Sequence, residues 1–165
     1  MTQTLDIATF SEQDWPVISA IYKEGITTGQ ATFETKVPTW KLWNTTHLTS
    51  CRLKATLNNN TVGWAALSPV SKREVYHGVA EVSIYITSKL RGFGIGKLLL
   101  STLIKKSEQE GFWSLQASIF SQNKVSIALH KSLGFREIGY KEKIAKLNNT
   151  WYDNTILERR SKLIV

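Results

Sequence analysis

A single cysteine, Cys51, excludes an internal disulfide from this 165-residue chain, and three histidines without a companion cluster of cysteines or carboxylates give no metal-ligand spacing. The sequence therefore predicts a metal-free site. No run approaches the roughly 20 apolar residues that span a bilayer, and the opening residues Met1 to Asp6 lack the basic, apolar, small-residue succession of a signal peptide. A cytoplasmic location, with no membrane partner, is the expectation. Proline is scarce at three residues, and no repeat, low-complexity tract or linker interrupts the chain. With 42% hydrophobic residues, 165 positions suffice for one sizeable core, so a single domain over residues 1–165 is expected. Acidic residues are outnumbered, 13 against 21 basic, for a formal charge of +8. The basic residues are dispersed, which argues against a nucleic-acid partner. Lys89, Arg91, Lys97, Lys105, Lys106, Lys124 and Lys131 nevertheless lie around the two motifs described below, where they either steer an anion or form a solvated surface.

Hydrophobic periodicity and turn residues divide the chain into alternating elements. Leu5 to Ala8 reads as a strand, and Ser11 with Asp14 three positions on reads as a helix start before Trp15. That helix should end near Gly25. A short helix fits Thr39 to Leu48, with Trp40 and Trp43 on one face. Arg52 to Leu57 and Thr61 to Leu67 are strands flanking Asn58, Asn59 and Asn60, a hairpin composition. Val79 to Ile86 is a strand, a helix runs from Ile95 to about Glu110 with Gly111 closing it, and Trp113 to Phe120 is a further strand. A helix over Lys124 to Ser132 and strands over Phe135 to Ile144 and Tyr152 to Arg159 complete a mixed α/β layer structure.

The most informative segment is Arg91-Gly-Phe-Gly-Ile-Gly96, placed between a strand and a helix. Glycines let a backbone approach an anion closely, and the unpaired N–H groups at a helix start, with the positive dipole end, point at the same place. A flexible strand-to-helix turn is the plain alternative. A dinucleotide fold would place its glycines after the first strand of a βαβ unit with an acidic residue closing the next strand, whereas here the motif is past mid-chain. A P-loop would need Ser or Thr after Gly96-Lys97, where Leu98 stands. Both nucleotide readings fail, and a pyrophosphate of another kind is left.

Arg91-Gly-Phe-Gly-Ile-Gly96 resembles the motif with which GCN5-related N-acetyltransferases hold the pyrophosphate of acetyl-CoA. Beginning 27 residues after Gly96, Asn123-Lys-Val-Ser-Ile-Ala-Leu-His-Lys-Ser-Leu-Gly-Phe135 resembles that family's second acetyl-CoA segment. Ala20-Ile-Tyr-Lys-Glu-Gly-Ile26, Ala31-Thr-Phe-Glu-Thr35, Ala80 to Ile86 and Trp151-Tyr-Asp153 are similar to the phosphinothricin and methionine sulfone acetyltransferases within it. The resemblance implies a mostly antiparallel twisted sheet of about seven strands, splayed at the cofactor site and flanked by about four helices. It also implies a homodimer, for which the six tryptophans offer apolar interface material.

Roles follow from the resemblance residue by residue. Ile84, Tyr85 and Ile86 would meet the pantetheine arm through their backbone, and Arg91, Gly92, Phe93, Gly94, Ile95, Gly96 and Lys97 the pyrophosphate. Asn123 would bond the pantetheine, cap its helix, or do both, and Ser126 would touch the phosphate arm or remain a solvated helix serine. Glu81 matches the catalytic base, with a salt-bridged or solvated strand end as the plain reading. His130 stands seven residues after Asn123, where the family places a proton donor for the coenzyme sulfur, and Tyr85 and Tyr140 are alternative donors. Arg73 and Tyr76 match a substrate loop that grips a carboxylate, while Phe33 and Ser83 would line the acceptor side.

Two departures touch the acceptor region: Val70 stands where an aromatic is common, and Leu147-Asn-Asn-Thr150 replaces the usual approach to the C-terminal Trp. The implied reaction is acetyl transfer from acetyl-CoA to the α-amine of a small amino acid or analogue. Acetylation of a protein lysine or N-terminus, and a non-catalytic acetyl-CoA sensor, are the alternatives. A covalent route through Cys51 is disfavoured by its distance from both motifs in the sequence.

Overall fold

A computed structural model describes residues 4–165 as seven strands and four helices. Strand β1 spans Leu5–Thr9, and a 3-10 turn over Glu12–Asp14 leads into helix α1, Trp15–Thr27. The Asp14 carboxylate accepts the Ser11 N–H at 2.9 Å, the acidic third position that the sequence pattern predicts. Helix α2, Trp40–Thr46, starts at Thr39, whose hydroxyl accepts the Leu42 N–H at 3.3 Å. Strands β2, Leu53–Leu57, and β3, Asn60–Pro69, form a hairpin whose two loop residues, Asn58 and Asn59, both take positive φ.

Strand β4, Val79–Ile86, is followed by the 3-10 turn Ser88–Leu90 and helix α3, Ile95–Gln109. Gly111, at φ 88°, ends α3: its N–H reaches the Glu108 carbonyl at 3.1 Å and Phe112 N–H reaches that of Ser107 at 2.9 Å. Strand β5, Ser114–Phe120, helix α4, Lys124–Ser132, and strands β6, Arg136–Leu147, and β7, Thr150–Arg160, complete the chain. The last pair is longer than the sequence pattern suggests, because Asn148 and Asn149 take positive φ and close it as a second two-residue hairpin.

The sheet order is β1-β2-β3-β4-β5-β7-β6. Every pair is antiparallel except β4 with β5, which α3 connects. Helix α3 covers one face, where Leu99, Leu100, Leu103 and Ile104 join Ala65, Leu67 and Val82. Helices α1 and α2 cover the other, where Ile18, Ile21, Tyr22 and Trp43 meet Trp64 and Ala66. Covered on both faces, β3 is apolar without alternation. Among the described residues no helix is long and apolar enough to cross a membrane. Of the six tryptophans, Trp43 and Trp64 are buried and so offer no interface surface, Trp15, Trp40 and Trp113 are half-buried, and Trp151 is exposed. Trp15, Trp40, Trp43 and Trp64 gather beside α1 and α2, where ring contacts are densest.

Strand β6 forms the outer edge of the sheet, and its register against β7 slips between Lys141 and Ala145, where Lys143 takes a φ of 44°. The Asp153 carboxylate holds this bulge by accepting the Lys143 N–H at 2.6 Å and the Tyr140 hydroxyl.

Candidate active site

The parallel pairing of β4 with β5 lasts for three residue pairs, from Val79 with Ser114 to Glu81 with Gln116. Beyond Glu81 the strands part. A cavity of about 340 Å³ fills the wedge, lined by Glu81 to Tyr85 on one arm and Ala117 to Phe120 on the other. Two strands that stop bonding to each other leave backbone N–H and C=O groups free for a ligand lying between them. Segment 31–34 closes a third side, held by Phe33, whose ring lies 4.4 Å from that of Phe120 and 6.3 Å from that of Tyr152. Helix α4 closes the fourth with Asn123, Ser126 and His130.

Alternation along β4 points Glu81, Ser83 and Tyr85 to one side of the strand. Glu81 is half-buried, and burial lifts its carboxyl above the ordinary value, with the Lys141 charge acting in the opposite sense. Tyr85 packs at 4.9 Å from both Tyr22 and Trp64, and burial raises its phenol, which keeps its proton.

His130 is only 2% exposed, and the sequence around it dictates why its ring cannot turn. The Leu133-Gly134-Phe135 end of α4 is a left-handed cap: Gly134 has φ 89°, and Phe135 N–H reaches the His130 carbonyl at 3.2 Å. That places the Phe135 ring edge-on to the imidazole at 5.0 Å. His130 Nδ1 lies 2.8 Å from the Ser126 carbonyl, which only accepts, so Nδ1 carries the hydrogen and Nε2 the lone pair. Burial lowers its pKa, against a smaller upward push from the Ser126 carbonyl, keeping the ring neutral. Nε2 is buried without a partner, as is Asn154 Oδ1, and both residues line the cavity. Orphaned buried polar atoms are costly, so the wedge is built for a hydrogen-bonding occupant.

The glycine loop lies just beyond the wedge. Gly94 takes φ 79° as the residue before α3, a conformation that favours glycine, and Gly92 takes φ 84°. Gly96 has no such need. A Cβ there would meet Leu129 of α4 at 3.4 Å and Ile86 at 3.7 Å, ordinary contacts. Neither backbone conformation nor packing demands this glycine. Phe93 is 73% exposed in the same loop, and Arg91 and Lys97 are exposed beside it.

The residues named from the sequence are distributed as follows. Glu81, Ser83, Ile84, Tyr85, Phe33, Asn123, Ser126 and His130 line one cavity. Ile86 does not line it; its half-buried side chain packs against the core, which leaves the backbone contact expected of it untouched. Arg73 and Tyr76 do not line it. They sit in the exposed segment around the 3-10 turn Glu74–Tyr76, with the guanidinium 5.5 Å from the Tyr76 ring centre. Asn123 is a helix cap, its Oδ1 accepting the Ser126 N–H at 3.2 Å while its NH₂ donates to the Gln30 carbonyl at 3.3 Å. Tyr140 is an exposed strand residue outside the cavity. Sequence reasoning missed His47 and Asn154. His47 stacks on Trp43 at 4.0 Å with Nδ1 3.0 Å from the Trp43 carbonyl, and Asn154 donates to Ser118 Oγ at 2.8 Å. Neither residue carries a signal in its local sequence.

Residues 7–156 match the acetyltransferase (GNAT) domain profile. The chain is 34% identical to YwnH of Bacillus subtilis (strain 168), provisionally named a phosphinothricin acetyltransferase, over 89% of this chain and 93% of YwnH. It is 32% identical to the L-methionine sulfoximine/L-methionine sulfone acetyltransferase of Pseudomonas aeruginosa, over 59% of this chain and 56% of that protein. The crystal structure of a GNAT superfamily phosphinothricin acetyltransferase from Sinorhizobium meliloti in complex with AcCoA superimposes with a TM-score of 0.85 at 32% identity. That match covers 97% of this chain and 89% of the other.

Proposed function

This chain belongs to the acetyltransferase (GNAT) family, and on that footing we propose that it moves the acetyl group of acetyl-CoA to the α-amine of a small amino acid or analogue. Phosphinothricin and methionine sulfoximine or sulfone are the acceptor types that its relatives' names indicate. The observation that carries this reading is the wedge between β4 and β5, which brings a raised carboxyl at Glu81 and the unpartnered Nε2 of His130 into one cavity next to a glycine-lined helix start. The residues fit the coenzyme. Gly92 to Lys97 would hold its pyrophosphate and the free edges of the two arms its pantetheine, and acetyl-CoA supplies the acyl group already activated as a thioester.

In this reading Glu81 takes the proton of the attacking amine, directly or through one water. The acceptor enters from the side of Phe33 and Ser83, with Arg73 and Tyr76 at the loop outside. His130 in its resting tautomer offers a lone pair, so it supplies a proton to the departing thiolate only after taking one up in the same turnover. The direct ternary-complex route fits Cys51 as well, since that thiol is buried and burial pushes it up to about 11. The proposal includes a cytoplasmic homodimer, testable by light scattering on the purified chain.

The test is thiol release from acetyl-CoA with a panel of phosphinothricin, methionine sulfone, methionine sulfoximine, ordinary amino acids, polyamines and lysine peptides. Selective turnover of the first three supports the reading, and turnover of peptides alone replaces it with protein acetylation. Gly96→Ala gives a second check. Its Cβ has room, so the thermal midpoint should stay within about 2 °C of the parent, because surface changes cost under roughly 0.5 kcal/mol. Acetyl-CoA affinity should fall by about tenfold, since one displaced charge-assisted hydrogen bond is worth that much.

A further inference from the structure

The segment Ala20 to Ile26 resembles relatives without any role attached to it, and the structure gives one of its residues a partner 63 positions away. Glu24, half-buried on α1, accepts the Thr87 hydroxyl at 3.0 Å through Oε1 and the Ser88 N–H at 2.7 Å through Oε2. Thr87 and Ser88 begin the 3-10 turn that leads through Lys89 and Leu90 into the glycine loop. The 3-10 turn Ser88–Leu90 has no side-chain cap from Thr87, its own preceding residue. Glu24 takes that place from another helix. The turn then hands the chain directly to Arg91, whose positive charge is close enough to help keep the Glu24 carboxyl below its usual range. In that balance burial pushes upward, and the Ser88 and Thr87 donors outweigh it.

The neighbouring residue makes this reach possible. A Cβ on Gly25 would lie 2.5 Å from the Tyr85 ring, so only glycine lets α1 come this close to β4. Gly25 sets the approach, Tyr85 is the surface approached, and Glu24 accepts from the Thr87 hydroxyl and the Ser88 backbone N–H, two and three residues further along the chain. An acidic group beside an anion site opposes binding by its charge. Its presence there calls for a geometric return, and the ordered turn supplies it.

We infer that Glu24 is a positioning residue for coenzyme binding: it fixes Thr87 and Ser88, and through them the entry of the Arg91–Gly96 loop that receives the pyrophosphate. This rests on the acetyl-CoA reading of that loop. It predicts that Glu24→Ala weakens acetyl-CoA binding roughly tenfold and raises its KM correspondingly, with kcat at saturation and the KM for the amine nearly unchanged. Glu24→Gln keeps an oxygen for the Ser88 N–H and should restore binding to within about threefold of the parent. Thr87→Val removes one donor and should weaken binding about threefold without touching α1.

Calorimetric titration of the full chain with acetyl-CoA, alongside thermal unfolding without ligand, decides the matter. The expected pattern is a graded loss across the three variants in the order Ala, Val, Gln. Equal affinities for all three variants and the parent, whatever their unfolding temperatures, would make Glu24 a purely structural residue and overturn the inference alone. If Glu24→Ala does not fold, Thr87→Val carries the same decision. A parent protein that binds no acetyl-CoA would overturn the coenzyme reading first and this inference with it.

Discussion

Glu81→Gln should reduce turnover by about 10²- to 10⁴-fold while leaving acetyl-CoA affinity within about twofold, the range lost when a general base is removed from an intact site. Gln keeps the shape and loses the ability to take a proton. The pH profile supplies the sign. Burial raises the Glu81 carboxyl, so it becomes a competent base only above a higher pH than a free carboxylate would, and the acid limb of kcat/KM should be displaced upward accordingly. Stability should move the other way from activity. The carboxyl holds its proton to higher pH in the folded chain than in the unfolded one, so its contribution to folding is favourable below the unfolded value and fades as pH rises through the folded one. At neutral pH the folded chain carries that cost. Glu81→Gln removes it, so the thermal midpoint should be equal to the parent's or higher. A fall in both activity and midpoint would point to a structural carboxylate and against the base role.

Arg52→Ala should be strongly destabilising, at about 2–3 kcal/mol from lost hydrogen bonds and lost packing of the side-chain stem. Arg52 is 7% exposed and no carboxylate pairs with its guanidinium among the described residues. It is held by oxygens where α2 ends: Leu48 O at 2.6 Å, Asn44 Oδ1 at 2.7 Å and His47 O at 2.9 Å. It also lies 5.4 and 5.1 Å from the ring centres of Trp40 and Trp43. Removing it takes the donor from the half-buried His47 and Leu48 carbonyls and from the exposed Asn44 amide, each hydrogen bond being worth about 0.5–1.5 kcal/mol. Differential scanning calorimetry should show the midpoint lowered by roughly 10 °C at this chain length. Arg52→Lys should recover only part, because one ammonium cannot span three acceptors set around a planar fork. An Arg52→Ala midpoint within 2–3 °C of the parent, about 1 kcal/mol at this size, would refute the assignment.

Most elements of this fold are readable from local chemistry. Ser11 with Asp14, Gly111, and Asn58 with Asn59 each mark a boundary that a specific hydrogen bond or a positive φ then realises. The one stretch longer than its pattern suggests, β6 and β7, uses the same device a second time at Asn148 and Asn149, the segment that departs from the family's usual approach to the C-terminal Trp. Site residues carried by strand alternation or by a motif, such as Glu81, Ser83 and His130, came together as expected. Arg73 and Tyr76 did not, since a loop residue's direction is set by contacts that no periodicity encodes. His47 and Asn154 were invisible for a related reason: their place depends on which elements fold against each other, a property of tertiary packing. The role of Arg52 has no periodic signal either, because its three acceptors lie in and just beyond the last turn of α2.

The outer strand β6 has a consequence for the chain in a crowded solution. An uncovered strand edge invites another molecule to continue the sheet, yet this one carries Lys141, Lys143 and Lys146 in its second half and a bulge that breaks its row of backbone donors and acceptors. A second molecule approaching edge to edge would meet like charges and an out-of-step ladder together. Neutralising the three lysines while keeping the bulge should therefore raise the tendency to form ordered aggregates on mild heating, and removing the Asp153 clamp as well should raise it further.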